Sequence, residues 1–267
     1  MVENNIECGR NHMTEETVSR RFWRYFNPKN IVRELLFGWT LAEGTLFIVL
    51  VALQGLVWGL GVAHSHTFDW FGLTTGLMNI ITVILVAKGR ITNYFWGLIY
   101  SVMYMPLAFQ SQLFGEVALS AFWVVMQFVG IAAWLGFMKR DQITQKDKQD
   151  VVATKYMTPK QWLFVIPVFL VILGIVGLIL QQAGSRQPYM DGLTTTISMG
   201  AQILQTAKFA ESWYAWLLFD IVEIVLWARA WTGHADPSAF AMLGMNLALT
   251  VNAIYGIIQW RKLTKKE

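Results

Sequence analysis

The chain has 267 residues, of which 55% are hydrophobic and only 14% charged, too little polarity to cover a water-soluble surface. It reads as an all-α integral membrane protein whose length is spent on spanning helices, which excludes a soluble catalytic domain beside them. The net charge of +4 is a topology signal and gives no reason to invoke nucleic acid; the single cysteine, Cys8, excludes an internal disulfide.

Residues 1–42 form a cytoplasmic or interfacial segment. Glu3, Glu7, Glu15 and Glu16, with no apolar core before residue 31, are unlike a cleavable signal peptide. Arg20, Arg21, Phe22, Trp23, Arg24, Tyr25 and Phe26 mix cations with aromatics, as an interfacial helix at an anionic leaflet does. About eight spans follow, each roughly 18 to 25 residues, the length that crosses about 30 Å of hydrocarbon. They lie near 44–63, 70–87, 92–110, 116–138, 161–183, 191–207, 213–231 and 238–260.

The first span, within 43–64, reads as an added peripheral helix. His64 and His66 after it are solvated loop residues, and Asp69 is an N-cap. Residues 69–138 hold three spans with Asn93, Trp96, Tyr100, Tyr104, Trp123 and Gln127 among them. Residues 139–160 are a basic cytoplasmic loop, and 161–183, apolar apart from its ends and carrying Pro167, is a linker helix. Residues 190–260 hold three more spans, and 261–267 are a cytoplasmic tail.

Polar groups at membrane depth are costly, an Asp at a helix centre by about 2.5 to 3.5 kcal/mol. Candidates are therefore the polar groups that remain there. Trp213, Trp216, Asp220, Glu223 and Trp227 fall at i, i+3, i+7, i+10 and i+14, one helix face that combines aromatic planes with two carboxylates. Gln202, Gln205 and Asn246, with Thr250 and Asn252, supply amides and a hydroxyl. Such a set suits a flat, cationic ring bearing hydrogen-bonding groups: indoles stack on it, carboxylates attract it and amides orient it. Trp134, Trp260, Trp227 and Trp231 read as interfacial anchors, and Thr74, Thr75, Thr194 and Thr195 as residues that satisfy backbone at helix starts.

With both termini cytoplasmic, alternate loops place every one of the 21 Lys and Arg inside except Arg186 and Arg229, which agrees with the positive-inside rule. The chain also repeats itself. Gly72-Leu73-Thr74-Thr75, Ala87-Lys88, Tyr94, Trp96 and Leu98 recur as Gly192-Leu193-Thr194-Thr195, Ala207-Lys208, Tyr214, Trp216 and Leu218, an offset of 120. Gly130, Ile131 and Trp134 recur as Gly256, Ile257 and Trp260 at an offset of 126. Two three-helix units separated by one linker crossing face the same way, so the expected architecture is a parallel repeat around a midplane site, plus one extra N-terminal helix.

The segments Thr92-Asn93-Tyr94-Phe95-Trp96-Gly97-Leu98 and Glu211-Ser212-Trp213-Tyr214-Ala215-Trp216, with Gly130 and Trp134, resemble the PnuC family of nicotinamide riboside transporters over about residues 69–262. The resemblance implies a fold related to SWEET sugar transporters and facilitated diffusion of nicotinamide riboside without ATP, coupled ion or cofactor. It also implies that phosphorylation by a cytoplasmic kinase traps the riboside for NAD synthesis. It places Trp213, Trp216 and Asn93 in or beside the site. The segment 44–63 lies outside the family's seven-helix core, and Asp220 stands where some relatives carry Asn. The expected setting is the inner membrane of a bacterium, with the lipid bilayer and the riboside as partners; a homo-oligomer is compatible with the sequence.

Thiamine or riboflavin would suit the same inventory, and Asp220 with Glu223 leaves a proton-coupled carrier open. A retinal-type sensor needs a lysine within 238–260, which has none. An embedded metalloenzyme needs a His or Cys cluster, and His12, His64, His66 and His234 lie outside the spans or at their ends.

Overall fold

The computed structural model describes residues 22–65, 68, 70–110, 114–135, 143–146, 149–182, 188–234 and 237–264. Arg20, Arg21, His66, Asp69 and Arg186 lie outside these residues, as do the side chains of His64, Trp227 and Trp231. Helix α1 (Pro28–Leu36) begins where the Asn27 side chain accepts the Lys29 amide at 3.0 Å and Pro28 presets the first turn. Helix α2 (Leu41–Ser65) opens on a capping box: the Thr40 amide donates to Glu43 Oε2 at 2.7 Å and the Glu43 amide to Thr40 Oγ1 at 3.3 Å. Then come α3 (Trp70–Ala87), α4 (Asn93–Gln110), α5 (Phe114–Leu135), a hairpin of β1 (Ile143–Lys146) and β2 (Gln149–Val152), α6 (Pro159–Gln182), α7 (Pro188–Thr206), α8 (Ser212–His234) and α9 (Pro237–Leu263).

Leu41–Leu60, Trp70–Ala87, Val117–Leu135 and Pro159–Gln182 are each long and apolar enough to cross a membrane. On α6, Leu163, Phe164, Leu170, Val171, Leu178 and Ile179 are exposed, a surface that belongs in hydrocarbon. The protein is a helical membrane protein.

Packing follows one scheme in both halves. Helix α3 packs on α4 and α4 on α5; α7 packs on α8 and α8 on α9. The halves meet through α5 on α7 and α9 on α3, while α2 flanks α3 and α6 flanks α7. The turns after α3 and α7 are alike, but at an offset of 119 and not 120. Gly89 (φ 71°) and Lys208 (φ 66°) are the left-handed residues. The next amides, Arg90 and Phe209, reach back to Leu85 O and Leu204 O, both at 2.9 Å. Helices α4 and α8 then start at Asn93 and Ser212, so Tyr94 takes the place of Trp213.

At this end of the bundle, the residues after β2 thread between the two turns and the end of α9. The Val152 amide donates to Gly89 O at 3.0 Å, Lys155 to Lys208 O at 3.0 Å and Ala210 to Lys155 O at 2.9 Å, while Thr154 Oγ1 donates to Trp260 O at 2.8 Å. Val86, Ala87, Ile91, Tyr94, Trp134, Trp213, Ala253 and Trp260 fill the space above it as one core. Trp134 and Trp260 are fully buried. This corrects their reading as interfacial anchors: each indole N–H is spent on a neighbouring helix end, Trp134 on Thr206 O at 3.1 Å and Trp260 on Val86 O at 2.9 Å. A Cβ on Gly130 would overlap the Tyr94 ring and one on Gly256 the Trp213 ring.

The N-terminal segment docks on the same end. Tyr25 is buried in the core with Phe22 and Phe26 against it, while Trp23 stays exposed. Thr92 donates to the Glu34 carboxylate, and burial pushes Glu34 above its ordinary range. Lys88 is also buried, paired with Glu43 at 3.2 Å, donating to Gly38 O at 2.8 Å and lying 4.3 Å from the Trp39 ring centroid; burial lowers its pKa. Tyr255 donates to the same Glu43 carboxylate, so α2, the α3–α4 turn and α9 are tied at one point.

Candidate functional site

Away from the hairpin end, the six helices α3, α4, α5, α7, α8 and α9 separate around a cavity of about 520 Å³, a size usual for small-molecule sites. On α3 its lining stops at Thr82 and on α4 it begins at Gly97. The aromatic core therefore closes it toward the hairpin.

Helix α8 supplies Trp213, Trp216, Phe219, Asp220 and Glu223. Trp216 donates to Gln205 Oε1 at 2.8 Å and meets Phe219 edge-on, centroids 5.9 Å apart. The opposite wall is Tyr100 and Tyr104, stacked at 5.6 Å, with Trp123 6.2 Å from Tyr100. Gln127 completes it, its amide lying on Gly97, where an added Cβ would come within 2.7 Å of Oε1. Between the walls stand Asn79, Thr82, Ser198, Gln202, Asn246 and Asn252.

Three buried polar atoms of the lining have no hydrogen-bond partner among the described residues: the indole nitrogens of Trp123 and Trp213, and Asn252 Oδ1. Two donors and an acceptor of the lining are thus left unsatisfied, which is rare for buried polar groups. Asp220 and Glu223 are the charged groups of the wall, and no Lys or Arg lines it among the described residues.

Of the residues expected from sequence, Trp213, Trp216, Asp220, Glu223, Tyr100, Tyr104, Trp123, Gln127, Gln202 and Asn246 come together here. Asn93 and Trp96 do not. Asn93 is in the first turn of α4 and its amide donates to Arg90 O. The offset of 119 explains both: Asn93 stands opposite Ser212 and Trp96 opposite Ala215, while Gly97, Tyr100, Ser101 and Tyr104 oppose Trp216, Phe219, Asp220 and Glu223. Gln205 stands behind the wall and holds the Trp216 indole. Thr74 and Thr75 bond backbone at the start of α3, as expected, their hydroxyls donating one turn back to Trp70 O and Phe71 O, both at 2.8 Å. Thr75, Thr194 and Thr195 also line the cavity, with Gln54, Asn79 and Ser101, none of which the sequence periodicity singles out.

The sequence profile described as "Nicotinamide mononucleotide transporter" matches residues 69–262. The chain belongs to that family. Among family members, the nicotinamide riboside transporter PnuC of Neisseria mucosa is 32% identical over 235 residues, covering 88% of this chain and 86% of its own. The PnuC of Haemophilus influenzae is 32% identical over 236 residues, 88% and 96% of the two chains. A match of 235 residues in a chain of 267 leaves 32 unmatched, so it begins before α2. A crystal structure of the vitamin B3 transporter PnuC superposes with a TM-score of 0.70 at 31% identity, covering 86% of this chain and 95% of that one.

Proposed function

We propose that this protein carries nicotinamide riboside across the bacterial inner membrane by facilitated diffusion. The observation that carries the reading is a cavity with aromatic walls, two carboxylates and, among the described residues, no basic group. A pyridinium ring gains cation–π and Coulomb attraction there. The carboxamide and ribose hydroxyls match the unpaired atoms of Trp123, Trp213 and Asn252.

The family's description names the mononucleotide and its relatives the riboside; the charge of the wall favours the riboside. A phosphate would enter beside Asp220 and Glu223 without a cation to pair it, and desolvating such an anion is prohibitive. Nothing in this inventory calls for catalysis or a cofactor.

In this reading the chain crosses the membrane eight times with both termini cytoplasmic. Units α3–α5 and α7–α9 stand parallel, α6 links them and α2 is the added helix. Support comes from the two matching turns at one end, and from the positive-inside partition of Lys and Arg. The hairpin end is then cytoplasmic, and the conformation is closed toward the cytoplasm. Transport proceeds by rocking of the two units around the cavity, which parts the Trp134–Trp260 seam, and phosphorylation inside the cell traps the product.

Isothermal titration of the purified protein with nicotinamide riboside, its mononucleotide, thiamine and riboflavin tests the assignment. The riboside binds at least a hundredfold more tightly than the mononucleotide, about 2.7 kcal/mol. Tighter binding of the mononucleotide, or of thiamine, would overturn it.

A further inference from the structure

The added helix α2 reaches the cavity. Its inward stripe is Glu43, Leu46, Leu50, Gln54 and Val57, a helical spacing. Glu43 is fixed by Lys88, Leu46 and Leu50 are buried against Ile80, Ile84 and Ala248, and Gln54 and Val57 come next, at the level of the cavity they line. Helix α6 flanks α7 as α2 flanks α3, yet among the described residues it lends nothing to the lining.

The difference has a local cause. The Gln54 amide occupies the volume a Cβ at Gly76 would take. At the offset of 119, the position equivalent to Gly76 in the other half is Thr195, which carries a β-branched side chain where α3 has none. Glycine on α3 thus opens a window through which a flanking helix inserts an amide. The opposite wall uses the same device, with the Gln127 amide lying on Gly97.

We propose that Gln54 is a specificity-determining residue of the transport site, its amide hydrogen-bonding the carboxamide or a ribose hydroxyl of the substrate. An amide beyond Leu46 and Leu50, at membrane depth, is costly unless paired, and it both donates and accepts, as those two groups require. The chain segment that the family profile leaves out thereby completes the binding wall. This rests on the riboside reading above.

The test replaces the native thiol, Cys8→Ser, and introduces Gln54→Cys for modification by a water-soluble methanethiosulfonate. Asn79→Cys serves as the reference cavity position. We expect Gln54→Cys to react as Asn79→Cys does, and saturating nicotinamide riboside to slow the reaction at least tenfold. In parallel, Gln54→Leu lowers riboside affinity at least fivefold at unchanged thermal stability. That loss vanishes for whichever analogue, without carboxamide or without the 2′-hydroxyl, lacks the group contacted. Reaction at Asn79→Cys but not at Gln54→Cys overturns the placement of α2. Equal losses for all ligands, or unprotected labelling while the riboside still binds, overturn the contact. Labelling at both positions with no riboside binding to the parent protein overturns the substrate reading, and the substrate role of Gln54 with it.

Discussion

Trp134 and Trp260 lie with ring centroids 6.0 Å apart at the hairpin end, and each donates its indole N–H across to the other half of the molecule. The acceptors, Thr206 O and Val86 O, are in the last turns of α7 and α3, where carbonyls have no helical partner. Phe at 134 keeps an aromatic ring but takes from Thr206 O its indole donor, at a cost of about 1 to 3 kcal/mol, whereas Phe at 260 leaves Val86 O its other donor, the Gly89 amide at 2.9 Å, and should cost less. Denaturation of the purified protein should give the larger loss for Trp134→Phe. A larger loss for Trp260→Phe would contradict this reading of the two carbonyls.

Gly130 and Gly256 make a second matched pair. Alanine at 130 displaces the Tyr94 ring and alanine at 256 the Trp213 ring, and overpacking of this kind costs about 1 to 3 kcal/mol. Only the second ring lines the cavity. Gly256→Ala should therefore weaken riboside binding as well as stability, while Gly130→Ala should affect stability alone. Titration calorimetry alongside thermal unfolding separates the two effects, and identical binding losses would contradict the assignment of Trp213 to the wall.

The helices were legible in the hydrophobic pattern because apolar runs of spanning length have few alternatives in this composition. So was the face of α8, whose Trp and acidic residues keep one helical spacing. What misled was the identity offset of 120. That offset sets Asn93 and Trp96 against Trp213 and Trp216, but the chain turns at Gly89 in one half and Lys208 in the other, which shifts the facing positions by one residue. Gln54 was hidden for another reason: its reach depends on a missing Cβ at Gly76, a relation between helices that no periodicity within one helix encodes. Lys88 enters the sequence reading only through the repeat and the positive-inside partition, while in the structure it is buried and paired with Glu43 at 3.2 Å.

Docking of the N-terminal segment should depend on pH through Glu34. Burial raises its pKa above the ordinary 4.5, so the folded form holds the proton more tightly than the unfolded one. Its contribution is full below the unfolded value and lost as pH rises through the raised one. Glu34→Gln keeps an acceptor for Thr92 and should flatten the fall of thermal stability as pH rises above the ordinary 4.5. A variant that follows the wild-type profile would place that pH dependence elsewhere.

In the cavity, Trp216→Ala should weaken riboside binding at least tenfold, about 1.4 kcal/mol. The pair Asp220→Asn with Glu223→Gln should weaken it comparably, while leaving a neutral analogue such as the reduced dihydropyridine riboside nearly unaffected. Equal losses for the cation and its neutral analogue would mean the carboxylates act as hydrogen-bond acceptors and not as counter-charges.

The most direct measurement is uptake of labelled nicotinamide riboside into proteoliposomes containing the purified protein, with and without an imposed pH gradient. The account predicts saturable equilibration to equal concentrations on both sides, indifferent to the gradient, competed by unlabelled riboside and not by its mononucleotide. Accumulation driven by protons, or vesicles no more permeable than protein-free ones, would contradict it.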